Sequence, residues 1–121
     1  MEAKLILNIG LNRASGGAIT AEQARQTLAA NEFLIVRDAV LESDTEPTLV
    51  AEVISKNSSP FIFLQLLRRV AEELDQDCIA VYRELTGAGS LIGPRSAEWG
   101  PFKAEFFLLL DGRRLSETIA A

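Results

Sequence analysis

Residues 33–54, FLIVRDAVLESDTEPTLVAEVI, set the class of this fold. The flanks of the stretch, Phe33–Leu41 and Thr48–Ile54, are rich in β-branched and large apolar residues, and the centre, Glu42–Pro47, is polar. The pattern predicts a β-hairpin closed by an acidic turn. Side chains alternate along a strand, so Leu49 and Val53 fall on one face, Val50 and Glu52 on the other. Arg37 and Asp38 are adjacent, so each face receives one of them. Asp38 and Glu52 are acids within strands, and a buried acid is costly unless paired, which can also tune it for function. The face of the sheet opposite the helices is the expected home of the charged member.

Before the hairpin, Lys4–Gly10 (KLILNIG) is a short apolar run ended by glycine and reads as a strand buried on both faces. The loop Leu11–Ile19 carries Asn12, Arg13, Ser15, Gly16 and Gly17. Thr20 then caps a helix, with Gln23 completing a T-x-x-Q capping box. Its stripe, Ala21, Ala24 and Leu28, is narrow and suits a short helix lying close to a sheet. After the hairpin, Lys56–Ser59 is a polar break, and Ser59-Pro60 gives an N-cap followed by proline. Phe63, Leu67, Val70 and Leu74, beside Leu66 and Ala71, form a broad apolar helix face, with Gln65, Arg68, Arg69, Glu72 and Glu73 opposite. Cys78–Leu85 (CIAVYREL) predicts another strand. Thr86–Lys103 (TGAGSLIGPRSAEWGPFK) reads as a long Gly- and Pro-rich loop. Ala104–Leu110 (AEFFLLL) reads as a last strand, and Arg113–Ala121 as a short helix or frayed tail.

The predicted class is therefore α+β: a ferredoxin-like βαββαβ two-layer sandwich with an extra C-terminal loop and strand. Its strand order would be 4-1-3-2, with the first strand central. No repeat or linker divides the chain, so residues 1–121 read as a single domain. That fold hosts unrelated activities, and function has to be argued from a site.

The 121 residues, 48% hydrophobic and 24% charged, suffice for one core. The chain has no histidine, which excludes Ser-His-Asp and Cys-His machinery and His-ligated zinc. One cysteine, Cys78, excludes an intrachain disulfide and multi-cysteine metal centres. Asp75 and Asp77 would raise its thiol pKa, so Cys78 reads as a small buried hydrophobe. Twelve Lys and Arg against seventeen Asp and Glu give −5, with cations clustered only as the pairs Arg68-Arg69 and Arg113-Arg114. Such a surface repels nucleic acid. No apolar stretch reaches membrane-spanning length, and MEAKLILNIGLN lacks the basic start of a signal peptide. A cytoplasmic protein without cofactor or membrane partner is expected.

Four places hold chemistry worth weighing. The Gly16-Gly17 loop, with Arg13, resembles an anion-binding strand–loop–helix junction but matches neither GxxxxGK[ST] nor GxGxxG, and reads as a connection. Glu42, Asp44 and Glu46 lack the glycine and distal acid of a calcium loop, and read as a solvated turn, so no metal site is expected. The 86–103 stretch holds Arg95, a planar fork for a carboxylate or phosphate, with Phe102 and the chain's one tryptophan, Trp99. Tyr82 and Arg83 on the preceding strand point to opposite faces, so one of them meets this loop. The ligand-binding candidates are thus Arg95, Trp99, Tyr82, Arg83, Arg37 and Asp38, with Asp38 or Glu52 as a base. The plain alternative is a lid, with Trp99 and Phe102 tucked in and Arg95 paired to Glu98 or Glu84.

Apolar residues occur at both parities of the strands (Ile35 and Val36, Val50 and Ala51, Phe106 and Phe107), so both sheet faces need cover. Either the C-terminal segment or a second copy supplies it. The leading expectation is a non-enzymatic, homo-oligomerising interaction or binding module, a homodimer. The alternative is a small-molecule-binding protein or cofactor-independent enzyme whose pocket, lined by the 86–103 loop, takes an anionic or aromatic molecule. The facing of Arg37, Asp38, Glu52 and Tyr82 separates the two.

Overall fold

The computed structural model describes residues 3–42, 46–56, 60–83, 88–95, 97–100 and 108–110. Strand β1 (Ala3–Gly10) leads to helix α1 (Ala21–Ala30) and the hairpin β2 (Phe33–Glu42) and β3 (Pro47–Ser55). Helix α2 (Pro60–Glu73) follows, then β4 (Ile79–Arg83), β5 (Ala88–Ile92) and β6 (Ala97–Gly100). The strands form one antiparallel six-stranded sheet in the order β2-β3-β1-β4-β5-β6. The protein is α+β, and its apolar strand β1 is interior, flanked by β3 and β4.

The sheet is wider than the expected ferredoxin-like layer with one added strand. The stretch read as a loop, 86–103, instead supplies β5 and β6. It carries no period-two pattern because β5 opens on three consecutive small residues, Ala88, Gly89 and Ser90, with Gly89 opposite Gly100 on the paired strand. The expected last strand, Ala104–Leu110, is described only at its end, and the tail 113–121 and Phe102 lie outside the described residues.

Both helices stop where a residue turns left-handed. Thr20 and Gln23 form the predicted capping box at the start of α1. Asp75, at φ 51°, ends α2, with the Asp75 amide donating to the Glu72 carbonyl and the Gln76 amide to the Ala71 carbonyl. The helices share one face of the sheet. Ala24 and Leu28 of α1, Phe63, Leu67, Val70 and Ala71 of α2, and Leu74 just past its end bury against Leu5, Leu7, Ile9, Phe33, Leu49, Ala51, Val53, Ile79, Val81 and Ile92.

Strict alternation would place Arg37 with Phe33 and Ile35 on that same face. A β-bulge prevents it: the pairing with β3 passes from Ile35 to Arg37 and skips Val36. The extra residue sends Arg37 and Leu41 to the helix-free face and Asp38 to the helix side. The helix-free face has a small core of its own, Ile6, Val50 and Leu108, with Leu41, Ala80, Tyr82, Leu109 and Leu110 packed around it. The Asn8 amide holds this cover by donating to the Leu108 carbonyl (3.0 Å) and accepting from the Leu108 amide (2.8 Å). A segment of the same chain thus lies on the middle of the second face.

Candidate functional site

Strand register lines up Arg37, Glu52, Ile6, Tyr82, Gly89 and Gly100 as one row across the sheet. Neighbouring strands are about 4.8 Å apart, so each step along the row is that long. Glu52 has a side chain only 3% exposed, and each of its oxygens takes one cation. Lys4 Nζ lies 2.5 Å from Oε1, and Arg37 Nε lies 2.5 Å from Oε2. Lys4 stands opposite Ile54, one diagonal step from Glu52, and reaches it across the pleat. The Lys4 ammonium, more than any other group, holds the Glu52 carboxyl below its ordinary pKa; burial opposes this, and Arg37 adds to the lowering. Lys4 and Arg37 remain 54% and 68% exposed. The trio carries one surplus positive charge on the helix-free face.

Tyr82 shares the row but stands two strands from Glu52, with Ile6 between them, and packs into the cluster under Leu108. The other sequence candidates are elsewhere. Asp38 sits on the helix side in a two-point ion pair with Arg25 of α1, at 2.9 Å from Nε and 3.2 Å from Nη2. That contact raises the Arg25 pKa further. The Arg83 guanidinium, also on the helix side, lies 5.0 Å from the centre of the Phe63 ring. Arg95 is exposed three residues beyond Ile92, which itself stands three rows from Tyr82. Trp99 is placed opposite Ser90, in the row of Val81. Glu84 lies outside the described residues. The structure therefore joins Arg37 and Glu52, sets Tyr82 on the same face, and separates Asp38, Arg83 and Arg95 from them.

Cys78, read as buried, is exposed. It precedes β4, which begins one residue later, so no strand carries it into the core. The Leu11–Ile19 loop is pinned at both ends. Asn12 bridges Ala18, Arg13 N donates to Gly17 O (2.8 Å), and Ala14 N donates to Asp75 O (2.7 Å). Ser15 Oγ bonds the Asp75 carboxylate, and Gln76 Nε2 donates to Asn12 O (3.0 Å). Gly16 and Gly17 take φ 110° and 91°, which only glycine adopts readily. Arg13 lines an open cleft of about 280 Å³ with Gln23, Gln26, Thr27 and Glu73. The capping box occupies the Gln23 amide, leaving that donor unable to serve an anion there.

Two residues of the helix-free face had no assigned role in the sequence, Lys4 and Asn8. The signal was present: in KLILNIG the positions Lys4, Ile6, Asn8 and Gly10 share a parity, and three of the four are not apolar. Compared with protein-family models, with curated proteins and with solved structures, the chain matches none.

Proposed function

We propose that this chain is a non-enzymatic interaction module that self-associates by pairing the outer edge of β2 with β2 of a second copy. One observation carries the reading. β2 is a ten-residue edge strand, and three of the five exposed large hydrophobics among the described residues, Leu34, Val36 and Val40, lie on it. An edge of that length is a template for strand addition, and soluble proteins usually blunt such edges with unpaired charge. Here the mid-strand charges are engaged from within: Arg37 with Glu52, which it shares with Lys4, and Asp38 with Arg25. What an added strand would meet is backbone donors and acceptors that no described strand takes up, with Leu34 on one face of the sheet and Val40 on the other. Antiparallel pairing about a two-fold axis satisfies both copies at once. In this reading β1 to β4 and the two helices form a ferredoxin-like unit, supported by the neighbours β4-β1-β3-β2, which β5 and β6 extend. The net charge of −5 favours a protein partner over nucleic acid. Among the described residues no helix is long and apolar enough to cross a membrane.

Light-scattering chromatography over a concentration series tests the reading. The expected mass is about twice 13.2 kDa, falling to the single-chain value for the double substitution Val36→Lys, Val40→Glu. A wild-type monomer at every concentration overturns it.

A further inference from the structure

We propose that Lys4 and Arg37, held side by side by Glu52, form a binding site for a small monocarboxylate with an apolar body. The two cations grip opposite oxygens of one carboxylate, so Nζ and Nε lie no more than about 7 Å apart. Like charges at that distance repel, and only the buried Glu52 between them keeps the pair together. Among the described residues both retain unused donors. Arg37 gives Glu52 its Nε–H, leaving both terminal nitrogens of the fork, and Lys4 spends one of its three protons. Glu52 is sealed beneath them with both oxygens engaged, so it does not compete for the outward-facing donors, and its charge leaves the site one positive charge in surplus.

Charge and surroundings narrow the ligand. The surplus of one positive charge matches a monoanion rather than a phosphate dianion. The adjoining row on the same face is Leu34, Ile54 and Lys4, with Leu34 exposed and Ile54 half-buried. An apolar body attached to the carboxylate rests there, while the fork of Arg37 receives its oxygens. The site lies on the face of β2 rather than its edge, and requires no second copy.

The experiment is a titration of the isotope-labelled full chain at neutral pH and constant ionic strength, followed by NMR at the Arg37 Nε–H and at the backbone amides of Lys4, Leu34 and Ile54. Benzoate is the probe, with inorganic phosphate and cyclohexanol for comparison. Benzoate is expected to give saturable shifts centred on those residues, with Kd about 1 mM or tighter. Arg37→Gln and Lys4→Gln, both surface substitutions, should each weaken binding at least tenfold while leaving distant resonances in place. Linear, unsaturable shifts overturn the site, as does equal saturation in both variants. Phosphate binding as tight as benzoate overturns the monocarboxylate assignment.

Discussion

Glu52 shows how much a single buried carboxylate organises. Its two cations are each more than half exposed, and an exposed ion pair is ordinarily worth under about 1 kcal/mol. Lys4→Met or Arg37→Met alone should therefore cost about 1 kcal/mol or less, since the remaining cation still faces the carboxylate. Removing both leaves a buried charge uncompensated, for which a loss of about 3–5 kcal/mol is typical. Urea denaturation of the double-substitution cycle is expected to show losses well above additive, and additive losses would contradict the shared-carboxylate account. The pH dependence follows from the sign of the shift. The folded pKa of Glu52 lies below its unfolded value, so its contribution is complete above the unfolded range near about 4.3 and is lost as pH falls toward the folded pKa. Stability measured from pH 7 down to 3 should thus fall less steeply in Glu52→Gln than in the wild type. At this scale the sequence was half legible. It required Arg37 and Asp38 to face opposite ways but could not choose between them, because the choice rests on the bulge at Val36. No side-chain pattern marks that extra residue.

Among the elements, α2 was the most readable. Its apolar positions recur every three or four residues, and Phe63, Leu67, Val70, Ala71 and Leu74 all enter the core. Leu67→Ala should cost about 2–5 kcal/mol in a denaturant titration, whereas Leu34→Ala, on an exposed face, should stay within about 0.5 kcal/mol. β5 and β6 were illegible for the opposite reason. Glycine, alanine and serine carry no hydrophobic alternation, and these strands are specified by pairing with a formed β4 edge rather than by their own pattern. The cover at Leu108 is a third kind of case. The sequence predicted that both faces needed covering, but the clamp depends on Asn8, a hundred residues away. Asn8→Leu, similar in size, removes both hydrogen bonds. It should lower the protection of the Leu108–Leu110 amides in hydrogen exchange by about 1–2 kcal/mol and leave β1 protected. Unchanged protection would mean that apolar packing alone holds the segment.

For the molecule as a whole, the two sheet faces are covered differently. One face carries both helices, and the other is covered in the middle by Leu108–Leu110. Among the described residues no strand pairs with the outer edge of β2, which carries exposed apolar side chains, and beside it lies the cation pair above Glu52. The sequence indicated self-association through surplus apolar strand positions, and its expected order 4-1-3-2 put the second strand outermost, but no local pattern states which of those positions stay exposed. Residue-resolved hydrogen exchange of the β2 amides, compared between dilute and concentrated protein, tests the edge most directly. Pairing with a second copy predicts that alternate amides between Phe33 and Glu42, those pointing away from β3, become protected as concentration rises. Those amides exchanging freely at every concentration, while their β3-facing neighbours stay protected, would contradict it.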